Sequence, residues 1–432
     1  MSCFSIGTIH ERSQLDGETR EMSSSRYGQR TRRSDIIQLY YITHVDNITS
    51  ILRHGILSHQ EILRRDIPFV PIYDKSIVVG RRDKTTPEGK SLWEYANLYF
   101  EPRNAMLFRV SLENSTEDVA IVAVDFRSIV SQSGVMISTG NAAHHLSQIL
   151  PTTPRKMIGE AFSKFRDSIG LEYWREDDGT KRKMMAECLV PNRVPPESFM
   201  TIYAAGQDTA EKIRDALRKI GRSNPPVIPN PYMFFQPSFA LALTPFLSVM
   251  NGDMFFSRMQ TLTVSVNSVG VMGKGVASRA KYQFPDVYVK YQDACRRNLI
   301  RFGRPYLYKR ETSLDYELAD DPTSLREPNN QTWFLLFATK NHWRERASKD
   351  GIEKGLKWIQ ANYKSEGIRS LAVPALGAGL GRLEWKQIGP VICQNLASLD
   401  IPVEVYLPAE KDIPSNELTR DFLLPRGSLL TA

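Results

Sequence analysis

The sequence predicts a two-domain chain whose second half is an α/β fold. Three observations carry this. At 432 residues the chain is too long for one ordinary core. Residues 222–245 hold Pro225, Pro226, Pro229, Pro231, Pro237 and Pro245, a density that reads as a stiff, extended spacer. Beyond the spacer, strand-like and helix-like segments alternate.

The elements follow in order. Residues 1–35 are rich in Ser, Arg, Glu and Gly, lack apolar periodicity and read as a flexible tail. Order begins with the β-rich run 36–43. Asp46 reads as the N-cap of a short helix with Ile48, Ile51 and Leu52 on one face and Gly55 as its stop. Tyr41, Thr43 and His44 then lie where a strand end meets a helix start, a place where free backbone N–H groups hold ligands. Residues 66–90 read as irregular, with Arg81 and Arg82 either solvated or a clamp for a pyrophosphate or nucleic acid. The run 92–108 is dense in aromatics (Trp93, Tyr95, Tyr99, Phe100, Phe108), which fits core packing or a wall for a nicotinamide or nucleobase. A strand at 119–124 is apolar on both faces. The strand beginning at Met136 runs into a small-residue turn containing Asn141.

Residues 158–165 read as helical, and 183–190 as a strand with Met185, Glu187 and Leu189 on one side. An ionised Glu187 among apolar neighbours is costly unless it is paired. It is either a solvated edge residue or a carboxylate that this half is built to present. A strand at 199–204 and a helix at 207–220 complete the first half.

In the second half, Leu262, Val264 and Val266 alternate with Thr263, Ser265 and Asn267. Gly270, Gly273 and Gly275 then open a helix. A buried strand, 334–338, ends at Thr339 and Lys340, and a helix covers 350–363. The strand 368–373 leads into Gly377, Gly379 and Gly381. Residues 403–407 close the fold, and 411–432 read as a loosely held tail. Glycines let a backbone approach a phosphate, and a helix N-terminus adds a favourable dipole. Neither loop has the GxxxxGK[ST] or GxGxxG spacing. Two such loops at strand ends suggest a pyrophosphate cradle, the alternative being two structural turns.

Composition narrows the class. Hydrophobic content of 41% and charged content of 24% are those of a soluble globular protein. The net charge of +8 permits a polyanionic partner without requiring one. Cys3, Cys188, Cys295 and Cys393 form no CxxC pair, which argues against a disulfide framework or zinc site and fits a reducing compartment. The histidines show no HExxH spacing, and no metal is expected. Residues 1–9 are too short and polar for a signal peptide, and the longest apolar run, 239–250, is too short to cross a bilayer. The expectation is a cytoplasmic protein with no membrane partner. Arg296, Arg297, Arg301, Arg304, Lys309 and Arg310, interleaved with Phe302, Tyr306 and Tyr308, suit single-stranded DNA or a solvated face equally.

Gly252-Asp253, Val266-Asn267, Val269-Gly-Val-Met-Gly-Lys-Gly275, Pro374, Gly377-Ala-Gly-Leu-Gly381 and Trp385 together resemble a macrodomain of the DarG antitoxin type, which hydrolyses ADP-ribose from DNA. The resemblance covers about 246–410. It implies that Asp253 binds adenine. The ADP-ribose site would comprise Asn267, Gly270, Val271, Met272, Gly273, Gly275, Leu376, Gly377, Gly379, Leu380 and Gly381, with the two loops on the diphosphate. Lys340 would attack or trap the ribose C1″, as a Schiff-base former can. Its alternative is a solvated strand-end lysine. A related class of lysine macrodomains carries an Asp where this chain has Gly381, which leaves the general acid unassigned.

The first half resembles DarT, a toxin that moves ADP-ribose from NAD onto a base of single-stranded DNA. The matching segments are Tyr40-Tyr-Ile-Thr-His-Val-Asp-Asn47, the Arg81–Arg82 pair, Tyr95 with 98–108, and Ala186-Glu-Cys-Leu-Val190. The resemblance implies two domains, an α+β ADP-ribosyltransferase fold at 36–220 and an α/β, three-layer macrodomain at 246–410, joined by the 221–245 linker. It makes Glu187 the catalytic carboxylate and Arg82, in preference to Arg81, the group that stabilises developing charge. Tyr41, Thr43, His44, Arg81 and Asn141 would bind NAD. The family commonly has His at the positions of Tyr41 and Asn141. The implied partners are single-stranded DNA (thymine the expected base), NAD and ADP-ribose, with the two domains docking on each other. The rival expectations are an ADP-ribose-binding module with an inactive transferase, or a transferase acting on RNA or protein.

Overall fold

The computed structural model describes residues 36–72, 75–325, 328–329, 331–409 and 411–425. The proposed tail at 1–35 lies outside the described residues.

An eight-stranded sheet organises the first half. Its order is Val227–Pro229, Phe199–Ala204, Val119–Asp125, Gln38–His44, Tyr95–Tyr99, Glu187–Pro191, Met136–Ser138, Ile149–Pro151. All neighbours are antiparallel except the first pair. The Val119–Asp125 strand lies inside this sheet and is buried along residues 119–124, as its unbroken apolar run requires. Ile48–His54 and Gln207–Lys219 pack on one face through Ile48, Leu52, Ala210, Ile213 and Leu217. Asp46 does not cap the first of these helices. A 3₁₀ turn, Val45–Asn47, intervenes, and His44 caps that turn by accepting the Asp46 N–H at 3.1 Å.

The second half is built on a seven-stranded sheet in the order Phe239–Ala242, Leu247–Asn251, Val403–Tyr406, Leu371–Pro374, Thr261–Asn267, Trp333–Lys340, Tyr306–Tyr308. The five inner strands run parallel. Lys349–Glu366 and Trp385–Leu396 cover one face, Gly275–Gln283 and Pro285–Arg296 the other, giving three layers. Ser348 caps the longest helix at its start, and Gly367, at φ 79°, ends it.

Residues 221–245 do not form the expected spacer. Val227–Pro229 adds an edge strand to the first sheet, where a proline is tolerated, and Phe239–Ala242 adds one to the second. Between them the Pro231–Phe234 turn packs against the junction, with Met233 and Phe234 buried. The C-terminal segment also departs from expectation. Arg420–Leu423 is helical, and Leu423 and Leu424 join the core of the second half.

One buried cluster spans the two halves, so the domains dock through a shared core. Phe108 and Trp174 from the first meet Phe235 of the connection and Phe256 of the second, with ring centroids 5.5–6.5 Å apart along Phe108–Trp174, Phe108–Phe235 and Trp174–Phe256. The Trp174 indole donates to the Leu318 carbonyl at 2.9 Å. Arg279 reaches across to Glu172 at 3.1 Å. Among the described residues no helix is long and apolar enough to cross a membrane.

Truncating the central ring of this junction leaves a cavity between the halves. Trp174→Ala is expected to cost about 3–5 kcal/mol. Calorimetry should show the whole-chain transition moving down together; a shift confined to one half would contradict a shared core.

Candidate active sites

In the first sheet, the Glu187 strand begins at Glu187 itself, because Thr180–Met184 is a short helix rather than the predicted start of the strand. Cys188 and Val190 face the core that contains the Ile48–His54 helix, so Glu187 faces the other way. Its side chain has 0% exposure. The carboxylate accepts three hydrogen bonds there. Arg81 donates from Nη1 to Oε1 at 3.2 Å and from Nη2 to Oε2 at 2.7 Å, a bidentate pair. The Ala142 backbone N–H donates to Oε1 at 2.8 Å. The Glu187 N–H is fixed in turn by Ser138 Oγ at 2.9 Å.

The turn that offers Ala142 is tightly wound. A Cβ on Gly140 would stand 2.5 Å from the Arg182 guanidinium and 2.9 Å from the Arg182 carbonyl, so only glycine fits. Asn141 stands beside Ala142, its N–H on the Arg182 carbonyl at 3.0 Å and its Oδ1 accepting from Ala143 at 3.0 Å. Asn141 therefore shapes the turn that holds Glu187. A cavity of about 350 Å³ opens here, lined by Lys84, Thr86, Ala142, His144, His145 and Ser147 among others.

Arg81, not Arg82, is the partner of Glu187. Residues 66–90 are not wholly irregular: Lys75–Arg82 is a helix, and successive residues on it point about 100° apart. Arg82 swings outward over the Trp93 ring, 5.5 Å from its centroid. Burial opposes the Arg81 charge, but Glu187 outweighs it and holds the guanidinium protonated above its usual range.

The NAD residues expected on the first strand divide between two faces. Tyr99 lies directly opposite Glu187, and Tyr40 opposite Tyr99, so these three share a face. Tyr41 and Thr43 alternate with Tyr40 and Ile42 and point to the other side of the sheet. Burial pushes the Tyr41 hydroxyl up to about 12. Thr43 Oγ1 accepts from Asn47 at 3.2 Å. The first-strand residue on the face of Glu187 is thus Tyr40, placed there by its pairing with Tyr99.

In the second sheet, the candidate residues gather at the C-terminal ends of the parallel strands, where α/β folds place ligands. Asn267 orders the first loop: Nδ2 donates to the Val271 carbonyl at 2.6 Å and Oδ1 accepts from Val269 at 3.0 Å. Tyr291 donates to that same Oδ1 at 2.9 Å. Gly270 takes φ +80°, Met272 is buried beneath the loop, and Gly273 is open. In the second loop, Leu376 is buried and Gly377 has φ +78°. A Cβ on Gly381 would stand 2.4 Å from the Gly377 carbonyl oxygen, so an aspartate cannot replace Gly381 without moving the loop. Val271 and Leu380, one from each loop, are exposed apolar residues at the rim.

Lys340 ends the Trp333–Lys340 strand beside Asn267, at a register shift. Its ammonium is destabilised first by desolvation and then by the Arg382 charge, with Glu345 opposing, so its pKa lies below the usual lysine value. Asp253 Oδ1 accepts from the Phe255 N–H at 3.0 Å and Oδ2 from Arg279 at 2.9 Å. Arg310, expected among the DNA-binding cations, is buried in ion pairs with Asp286 and Glu317 at 2.7 Å each. Among the described residues no group of three or more His, Cys, Asp or Glu is placed to hold a metal ion.

Comparison with known proteins bears on both sites. The family described as ssDNA thymidine ADP-ribosyltransferase, DarT, matches residues 40–235. A DNA ADP-ribosyl transferase-DNA ADP-ribosyl glycohydrolase fusion protein of Thermosipho africanus (strain H17ap60334) is 54% identical over 388 residues, 90% of this chain and 98% of that protein. A DNA ADP-ribosyl glycohydrolase of Thermus aquaticus is 35% identical over 165 residues, 38% of this chain and 42% of that protein. The solved structure of Thermosipho africanus DarTG in complex with ADP-ribose matches with a TM-score of 0.82 at 52% identity, covering 90% of this chain and 100% of that one. With both halves matched in sequence and in fold, the chain belongs to the family of DNA ADP-ribosyl transferase–DNA ADP-ribosyl glycohydrolase fusion proteins.

Proposed function

We propose that the first half transfers ADP-ribose from NAD to thymine in single-stranded DNA and that the second half removes it. The observation that carries the first assignment is the fully buried Glu187 gripped by Arg81. A carboxylate so placed is oriented by its bidentate partner and shielded from water. In the forward reaction the bond from the nicotinamide nitrogen to the ribose C1″ breaks and a bond from C1″ to a base nitrogen forms. In thymidine, N1 carries the deoxyribose, so N3–H is the ring nitrogen that can react. Its proton passes to Glu187. Oε2, with one donor against two on Oε1, is the oxygen with spare lone-pair capacity. Arg81 steadies the charge during transfer. Tyr40, Tyr99 and the 142–147 turn surround the reacting groups.

In the second half, the backbone of the two glycine loops faces the diphosphate, and Asp253 accepts from the adenine amine through its remaining lone pairs. Lys340 attacks C1″ as the bond to the base breaks. The proton the amine loses goes to the departing base nitrogen, and water then displaces the lysine. A depressed pKa suits this role, because only the neutral amine is nucleophilic. DNA is supported as the carrier by the loop after Lys340. Trp343 is 47% exposed there, with the Arg344 guanidinium 4.5 Å from its ring centroid, a surface on which a base can stack beside a phosphate-binding cation.

Mass spectrometry on single-stranded oligonucleotides incubated with NAD tests both halves. Glu187→Gln should cut transfer by about 10²–10⁴-fold. Arg81→Lys, which cannot make the bidentate contact, should cut it about 10²-fold, while Arg82→Lys stays near wild type. No adduct on any nucleic acid from a Lys340→Ala chain, which cannot erase it, would sink the transferase assignment.

Lys340→Ala should leave adducts in place that the wild-type chain erases. Arg382→Gln removes a positive charge that lowers the Lys340 pKa, so the rising limb of the removal rate should move to higher pH. An unmoved limb would mean that Lys340 is not the titrating group.

A further inference from the structure

Helix Ala105–Glu113 follows the Tyr95–Tyr99 strand, which supplies the partner opposite Glu187. The helix carries Arg109, a guanidinium with 1% exposure. Arg109 Nη1 donates to Glu113 on the same helix at 2.8 Å, and Nε donates to Asp320 at 2.7 Å. Asp320 belongs to the other half of the protein, just beyond the Leu314–Leu318 helix. The Trp174 indole, bonded to the Leu318 carbonyl, fixes the same turn. One cation thus sits between two carboxylates, one from each half, in a desolvated setting. Tyr99 ends the strand that leads into this helix and stands opposite Glu187. Its hydroxyl is pushed well above the usual range by burial first, then by Glu187, with Asp320 adding in the same direction and Arg81 and Arg109 opposing. Charge on the macrodomain side is therefore felt at the residue facing Glu187.

We propose that Asp320, contributed by the macrodomain half, is a positioning residue for the transferase: through Arg109 it holds the Tyr95–Glu113 wall, and with it Tyr99, against Glu187. The proposal rests on the transferase reading above and goes beyond it. The half that reverses the modification also completes the site that makes it. Asp320 acts through its ion pair with Arg109. Its loss leaves Arg109 with Glu113 alone and lets the wall shift, and a displacement of an ångström at reacting groups is enough to slow chemistry about 10²-fold.

The test uses the full chain and two separate readouts. Nicotinamide release in the presence of single-stranded DNA counts forward turnovers even when the adduct is later removed. Release of ADP-ribose from a pre-modified oligonucleotide, without NAD, counts the reverse step. Asp320→Ala should lower kcat for nicotinamide release about 10- to 100-fold with little change in the KM for NAD, and leave adduct removal unchanged. Asp320→Glu should restore most of kcat. Asp320→Asn keeps an acceptor for Arg109 and covers the case in which the alanine variant fails to fold; its kcat should fall between the two. Glu172→Ala, which breaks a different ion pair across the same junction, should leave kcat near wild type. An unchanged kcat in both Asp320→Ala and Asp320→Asn overturns the proposal. So does an equal fall in the forward and reverse rates, or an equal fall in Glu172→Ala, because each marks general loosening. Absence of nicotinamide release by the wild-type chain would instead strike the transferase reading itself.

Discussion

Arg103 stands where the two halves meet, and the wall beside Glu187 depends on how it is held. Its guanidinium lies 3.8 Å from the ring centroid of Tyr232, 4.7 Å from Phe235 and 5.1 Å from Phe256, and Nη1 donates to the Tyr232 carbonyl at 2.5 Å. The side chain comes from the first half; the rings come from the connection and the second. A desolvated cation over rings is worth about 2 kcal/mol or more. The larger consequence is directional, because a buried guanidinium tolerates few arrangements of its neighbours. Arg103 precedes Asn104, which caps helix Ala105–Glu113 by accepting the Leu107 N–H at 3.1 Å. The wall that begins at Tyr95 is therefore anchored in the junction, and the strand beside Glu187 is anchored with it.

The two sites solve opposite electrostatic problems. In the first, a fully buried carboxylate is matched by a bidentate guanidinium and one backbone N–H. In the second, a lysine beside the glycine loops is pressed towards its neutral form by desolvation and by Arg382. One site thus answers burial with a partner, while in the other burial lowers a lysine pKa.

Much of this was legible in the sequence, for reasons that differ by element. The apolar run at 119–124 and the alternation at Leu262–Val266 announce their strands through an unbroken apolar stretch and a period of two, although both faces of the second strand are buried, Thr261 and Thr263 included. Glu187 stood out because a carboxylate among apolar neighbours needs a partner. The identity of that partner was not legible. Helix Lys75–Arg82 lies between prolines and has little apolar periodicity, so nothing local says which of two adjacent arginines turns inward. Tyr40 was hidden for a related reason: the strand's own alternation is visible, but which face meets Glu187 is set by pairing with Tyr99, some sixty positions later. The prolines of 221–245 read as a spacer because their local effect is stiffness, while an edge strand and a buried 3₁₀ turn accept them equally well. Asp320 left no sequence signal, since its importance comes from a residue more than two hundred positions away.

The connection between the halves is itself folded into the molecule, with Phe234 sealed in the core and Val227–Pro229 paired in the first sheet. Writer and eraser are consequently made in strict one-to-one ratio and cannot part. With both steps below saturation, doubling the number of molecules doubles the rates of marking and clearing alike. The standing level of modified DNA then becomes independent of expression. It is set by NAD supply, by the amount of single-stranded substrate and by the quotient of two rate constants written into one polypeptide.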